Sequence, residues 1–401
     1  MSSDPVADAS SRTEPAASPA KPLRRRDAFE NYDQALRIAR RRLPKSIYTE
    51  LAGGPDRAVT LRGNVAAFDE VLFRPRSAVA TVGRDLSTTV LGTSVSMPLV
   101  VAPVGGLRIV HPQGALATVK AGGAARTISG VSMSAGHSVD EIAAVADGPL
   151  WQQIYLSRGR ERAEAVIAQA AKHGYAALVV TVDSAVPPKR RPALRINLRN
   201  AVEFAPELVV RPGWTWRFIR DGLQLRAIND AVGATPPDAK PKMIAEWEDF
   251  GWIREAWKGP LVVKGILTPE DARRAVDAGA DAVVVSNHGG LTLDGAMPAL
   301  RALPRVVDAI GDSAEVLVDG GIRQGTDVVK AIAMGARAVL IGRPYIMALA
   351  IAGEAGVRHV LENFRYEIDR TLGLLGVQSL KDVDGSLIEV PSAWREQGRD
   401  S

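Results

Sequence analysis

The sequence predicts an α/β fold of the (β/α)8 TIM-barrel type, with an N-terminal helical extension, a long lid after strand four and a C-terminal helix. Three observations predict it. Eight short apolar, often β-branched runs follow residue 97, most are separated by stretches rich in Ala, Glu, Lys and Arg, and all but one pair start 21 to 33 residues apart. Near-continuous apolar strands alternating with amphipathic helices belong to a parallel sheet buried on both faces. Eight such units close into a barrel.

The eight runs are Pro98–Pro103, Thr127–Met133, Leu150–Leu156, Ala177–Asp183, Leu261–Ile266, Ala282–His288, Glu315–Ile322 and Ala338–Pro344. The intervening stretches carry helical periodicity; in 159–172, Ala163, Val166, Ile167 and Ala170 fall on one face. The exception is the fourth connection, whose flanking strands start 84 residues apart. An insertion this long inside a compact domain is usually functional. In a barrel it emerges at the C-terminal face, where active sites sit, and residues 184–250 are read as a lid carrying Trp214 and Trp216.

Before the barrel, residues 1–26 form a tail whose first 22 residues are mostly Ser, Ala, Pro and Asp, too poor in large apolar groups to offset ordering entropy. Residues 27–95 form a helical extension with a hairpin-like stretch, 96–395 the barrel unit, and 345–376 a long closing helix. No apolar secretory core and no run of 18 apolar residues appears, so the expected location is cytoplasmic.

The chain of 401 residues has no cysteine, which excludes disulfides, thiol nucleophiles and iron–sulfur clusters. Its net charge of +5 is unevenly spread. Segments 21–46 and 189–220 each carry +6, leaving −7 for the rest. Neither island interleaves aromatic residues as nucleic-acid modules do, so no nucleic-acid partner is expected. No G-x-G-x-x-G, Gly-Lys dipeptide or G-x-S-x-G is present, and the five histidines have no metal-ligand spacing.

Chemistry therefore falls to the strand ends. Strand seven ends in Asp319-Gly-Gly-Ile-Arg323 and strand eight in Ile341-Gly-Arg343. Barrels commonly bind phosphate there, with glycine N–H groups and a helix N-terminus. Arg323 and Arg343 would add two cations; the alternative is tight turns with solvated arginines. Strand six ends in Ser286-Asn-His-Gly-Gly290, placing His288 at the rim between residues that let a ligand approach, as a candidate general base. Lys264, in an apolar run, needs an anionic partner. Asp183 either orients the His288 imidazole or pairs with Lys264.

These blocks together resemble the FMN-dependent α-hydroxy-acid oxidase/dehydrogenase family, which includes glycolate oxidase and lactate and mandelate dehydrogenases. Leu43-Pro-Lys-Ser, Met97–Pro103, Gln153-Ile-Tyr155 and Thr181-Val-Asp183 also match, and the likeness spans residues 35 to 390. The resemblance implies FMN across the strand ends, with Gly105, Ser132, Gln153, Thr181, Lys264 and Ser286 along the isoalloxazine or ribityl chain. It implies Asp319 on ribityl hydroxyls and Gly321, Arg323, Gly342 and Arg343 on the phosphate. Lys264 would stabilise the anion formed on reduction. His288 would take a substrate proton beside Asp183, with Tyr155 and Arg190 facing the substrate. A homo-oligomer, tetramer or larger, is also implied.

Three positions depart from the family pattern. Leu291 stands where the family has its carboxylate-binding arginine, Glu50 where it has an active-site tyrosine, and Ser134 where it has an aromatic. A leucine makes no bidentate contact with a carboxylate. Losing a cation and gaining a carboxylate favours an amine-bearing or bulkier neutral substrate over a small 2-hydroxy acid. Leu43–Tyr48, Trp247-Glu-Asp, Trp257 and Leu293-Asp-Gly295 resemble the mycofactocin-associated branch, which implies oxidative deamination of a peptide-derived aminopyrrolidinone to an α-keto amide. Oxidation of a 2-hydroxy acid, a phosphate-binding isomerase and a non-catalytic flavin scaffold are the alternatives.

Overall fold

The structure, a computed structural model, describes residues 23–157, 159–186, 201–222 and 245–396. The expected tail at 1–22 and much of the lid lie outside the described residues.

All eight predicted runs form strands of one closed, wholly parallel barrel: Leu99–Val101, Ile128–Ser132, Leu150–Ile154, Ala177–Thr181, Leu261–Ile266, Ala282–Val285, Glu315–Asp319 and Ala338–Ile341. Each strand pairs with the next in sequence, and Val339–Ile341 pairs with Leu99–Val101 to close the ring. Nearly every strand residue is buried, as strands between a packed barrel interior and an outer helix layer must be.

Strands six, seven and eight each end three residues before their apolar runs, for a backbone reason. His288 has φ 56°, and Gly320 and Gly321 have φ 86° and 91°, so strands six and seven turn left-handed and leave the sheet. After Ile341 the chain enters a helix at Arg343, with Pro344 in the first turn where its missing N–H costs nothing. In strand five, Gly265 (φ 112°) sits at a register shift against strand six. A Cβ there would lie 2.6 Å from the Asp183 Cβ, so glycine lets Asp183 close over the strand end.

Helices Tyr32–Arg42, Lys45–Ala52 and Val59–Glu70 build the extension, followed by a hairpin of Thr88–Val90 with Thr93–Val95. Asn31 caps the first helix by accepting from the Gln34 N–H, and Arg40–Arg42 occupy its last turn, where cations offset the helix dipole. The expected single closing helix is two helices joined at a break. Ala352 and Gly353 leave helical geometry inside Arg343–Leu375, and Gly353 (φ 59°) makes room for the His111 ring. Among the described residues no helix is long and apolar enough to cross a membrane.

The described part of the lid docks on the barrel mouth and the extension. Its helices are Ala201–Val210 and Pro212–Arg220. Trp214 is buried, stacks on Phe218 at 4.7 Å and donates Nε1–H to the Ile109 carbonyl at 2.9 Å. Trp216 is exposed instead. The Glu207 carboxylate accepts from the Ser46 N–H and Oγ–H at 3.0 and 2.9 Å, a favourable charge at the start of helix Lys45–Ala52. Arg108 and Asp221 form a two-bond ion pair at 2.8 and 2.9 Å.

Candidate active site

Six strand ends supply a polar belt in an otherwise apolar barrel. Ser132 donates to Gln153 Oε1 at 3.0 Å, and Gln153 Nε2 donates to Thr181 Oγ1 at 3.1 Å. Lys264 Nζ lies 2.9 Å from Ser286 Oγ and 2.9 Å from Asp319 Oδ2. All six side chains are buried. Burial alone pushes the Lys264 ammonium toward neutrality, but Asp319 and then Asp183 more than offset it, so its pKa is raised and the charge is held. The alternative pairing of Lys264 with Asp183 is not formed; Lys264 pairs with Asp319.

His288 sits two residues beyond Ser286, whose Oγ accepts the His288 N–H at 3.0 Å. Its Nδ1 is 2.7 Å from Asp183 Oδ1, which leaves Nε2 for a substrate. That contact assigns the proton to Nδ1 in the neutral ring, since an ionised carboxylate only accepts. Burial pushes the Asp183 carboxyl up, yet the charge and hydrogen bond of His288 and the charge of Lys264 win and hold it down at about 2. A depressed carboxyl contributes stability that is full above its ordinary value of about 4 and lost as pH falls toward about 2. Asp183→Asn should therefore flatten the acid limb of stability between about pH 4 and 2, measured by urea unfolding across that range.

The remaining sequence-predicted positions fall around this belt. Gly105 packs on Ser134, and the Ser134 N–H donates to Ser132 Oγ at 3.2 Å. Tyr155 follows strand three, half-buried, its N–H 3.0 Å from Met133 Sδ. Leu291 follows Gly290, half-buried. Glu50 is half-buried on helix Lys45–Ala52 and makes no ion pair among the described residues. Arg190 lies outside the described residues.

The two Gly-Arg loops differ from the expected pair of equivalent anion sites. The helix after strand seven, Gly325–Ala333, has its N-terminus closed by Asp327, which accepts from the Arg323 and Gln324 N–H groups, and by Glu367, which accepts from Gly325. The helix start left for a phosphate is the one after strand eight, at Gly342 and Arg343. Arg323 stacks on the Tyr32 ring at 4.7 Å. Arg343 is buried and donates to three carbonyls, Leu51 at 3.1 Å, Gly289 at 2.8 Å and Gly53 at 2.8 Å. Burial, and then the like charge of Arg323, push its pKa down to about 10. Neither arginine has a carboxylate partner among the described residues, so an anion placed between them would relieve the cost.

These features suit a flavin mononucleotide. Asp319 Oδ1 and Asp183 Oδ2 are buried with no hydrogen-bond partner among the described residues, so each has a lone pair left for a hydroxyl or a proton-bearing ligand. Gly320 and Gly321 follow Asp319 in the chain, and a Cβ on either would face Asn64 rather than the carboxylates. The belt supplies neutral donors and acceptors and one cation in a shielded barrel mouth. Tyr32 and Asn64, neither legible from the sequence, also stand in this region: Tyr32 through Arg323, and Asn64 through Asn287 at 2.8 Å.

Comparison with known proteins agrees with this geometry. Residues 39–390 match the family model described as FMN-dependent dehydrogenase. The chain is 42% identical to the pre-mycofactocin synthase of Mycobacterium tuberculosis over 91% of this chain and 96% of that protein. It is 37% identical to the L-lactate dehydrogenase of Caulobacter vibrioides over 88% of this chain and 97% of that one. A crystal structure of the monotopic membrane protein (S)-mandelate dehydrogenase superposes with TM-score 0.82 at 32% identity, covering 90% of this chain and 100% of that one. The isomerase and non-catalytic alternatives do not survive this. The chain belongs to the FMN-dependent dehydrogenase family and is an FMN-dependent oxidoreductase.

Proposed function

We propose that the enzyme oxidises a primary amine beside a carbonyl, converting a peptide-derived aminopyrrolidinone to an α-keto amide. The observation that carries this reading is the residue set beside the base. The position after His288-Gly-Gly is Leu291 rather than a cation, while Glu50 is half-buried on helix Lys45–Ala52 and has no ion-pair partner among the described residues. Helix Lys45–Ala52 is tied to the base loop, because Arg343 binds the Leu51 and Gly53 carbonyls together with that of Gly289. A substrate ammonium would be held by Glu50, and Leu291 has no donor to offer a substrate carboxylate. The match to pre-mycofactocin synthase supports the same substrate class.

In this reading Gly105, Ser132, Gln153, Thr181, Lys264 and Ser286 hold the FMN ring and ribityl chain, with Asp319 on its hydroxyls. Gly321, Arg323, Gly342 and Arg343 take the phosphate. FMN supplies a two-electron acceptor. His288 takes a proton from the substrate at Nε2, and Asp183 stabilises the resulting imidazolium through Nδ1. The C–N bond becomes an imine as two electrons leave the substrate and the ammonium gives up an N–H proton, for which the Glu50 carboxylate that holds it is the acceptor. Water then replaces nitrogen, releasing ammonia and the keto amide. By the family resemblance Tyr155 and Arg190 would face the substrate, with Ser134 giving room an aromatic would fill.

The test is anaerobic bleaching of the flavin. An α-amino lactam should bleach it, and glycolate, lactate and mandelate should not; bleaching by the hydroxy acids alone would replace this reading with 2-hydroxy-acid oxidation, which the lactate dehydrogenase relative favours. Leu291→Arg tests the same point from the other side. It should weaken the lactam by about tenfold or more through repulsion of its ammonium, and admit a hydroxy acid through a bidentate contact. Half-saturating concentrations for both substrate classes give the answer.

A further inference from the structure

We propose that Asn64, on the N-terminal extension, is a positioning residue for the reaction. Its amide pair with Asn287 holds His288 in the left-handed backbone conformation that aims the imidazole at Asp183. The inference rests on the reading of His288 as the base.

Three consecutive residues of the base loop are left-handed: His288 at φ 56°, Gly289 at 63° and Gly290 at 74°. Glycine takes this conformation freely, whereas histidine is strained there and stays only if its surroundings over-determine it. The restraint is the residue just before. Asn287 Oδ1 accepts the Gly290 N–H at 3.0 Å, pinning the far end of the turn. Asn287 Nδ2 donates to the Met297 carbonyl at 2.9 Å and to Asn64 Oδ1 at 2.8 Å, while Asn64 Nδ2 donates back to Asn287 Oδ1 at 2.8 Å. Asn64 Oδ1 also accepts the Ala299 N–H at 3.3 Å.

The pair is closed. Every donor and acceptor of the Asn287 amide is used, both residues are buried, and flipping either amide would oppose two donors or two acceptors. Such a reciprocal pair fixes an orientation that a single bond would leave free to rotate. The helix bearing Asn64 is itself locked to the same loop. Asp294 accepts from the Arg57 and Thr60 N–H groups at 3.0 and 2.9 Å, at the start of Val59–Glu70. A Cβ on Gly290 would lie 2.7 Å from the Leu61 nitrogen, so the turn rests directly on that helix. Asn64 also touches the phosphate-side loop. A Cβ on Gly321 would meet its carbonyl oxygen at 2.0 Å, and one on Gly320 its Nδ2 at 3.1 Å. One residue outside the barrel thus references the base loop, through its side chain, to the strand-seven loop, through its backbone carbonyl and its amide.

The test compares the full-length flavoprotein with Asn64→Leu, which removes the pair at similar size, and Asn64→Asp, which keeps only its accepting half. With 15N-histidine labelling, the Nδ1–H proton of His288, identified by its absence in His288→Asn, reports the bond to Asp183. We expect it to move upfield or vanish in Asn64→Leu while flavin content is kept. The limiting rate of anaerobic bleaching by an α-amino lactam should fall roughly 100-fold with a half-saturating concentration changed only a few-fold, as for misplacement of a reacting group. Asn64→Asp should lie between. If Asn64→Leu does not accumulate as folded flavoprotein, Asn64→Asp is read in the same way. An unchanged Nδ1–H signal in a flavin-loaded variant overturns the positioning role. A lost signal with an unchanged rate overturns the base assignment instead.

Discussion

His288→Asn is expected to leave FMN bound and slow anaerobic flavin reduction by substrate by between about 10² and 10⁴-fold, the range a positioned general base supplies. Asparagine is the informative replacement. It is enriched among residues at positive φ, so it keeps the turn at φ 56° with less strain than alanine would bring. It removes Nε2, the nitrogen that the 2.7 Å contact between Nδ1 and Asp183 leaves facing outward. Flavin content should persist, because the proposed cofactor contacts lie in the Ser132–Gln153–Thr181 belt, at Lys264 and Ser286, and in the Gly320–Arg323 and Gly342–Arg343 loops. Flavin absorbance and stopped-flow bleaching measure the two effects separately. Reduction at near the wild-type rate would place the base elsewhere. Loss of flavin along with activity would instead show that the loop holds the cofactor.

The barrel was legible because strands buried on both faces must be apolar along most of their length, and the eight runs are. Their ends were less legible, since His288, Gly320 and Gly321 leave the sheet by dihedral angle rather than by hydrophobicity. The contact between His288 and Asp183 could be anticipated from strand-end positions alone. The partner of Lys264 could not. Asp183 follows the neighbouring strand, and Asp319 ends a strand two places away. Side chains filling a barrel come in layers from alternate strands, so strands five and seven share a layer and strands four and five do not. That geometry makes the pair Lys264–Asp319. Asn64 was out of reach for a different reason: its partner lies 223 residues away, and nothing in a helix of ordinary composition marks one asparagine as paired. The break at Ala352–Gly353 is similar, since it depends on where His111 sits.

The pairing of Lys264 leads to the second large effect. Lys264→Met should destabilise the apoprotein by about 3–5 kcal/mol, the cost of leaving a buried charge without its partner. The methionine fills the space of the lysine stem, so the loss is electrostatic rather than a cavity. Asp319 would keep its charge in a site where its Oδ1 already has no partner among the described residues, and Ser286 Oγ would lose a donor at 2.9 Å. The double variant Lys264→Met with Asp319→Asn should recover much of the loss, because the uncompensated carboxylate is gone. Urea midpoints of the four proteins form the cycle, and losses that simply add would show that Asp319 is not the charge Lys264 balances. The flavoprotein gives an independent reading. If Lys264 steadies the negative charge that forms on reduction, Lys264→Met lowers the flavin potential even in the stabilised double variant, because relieving Asp319 restores the fold and not the cation.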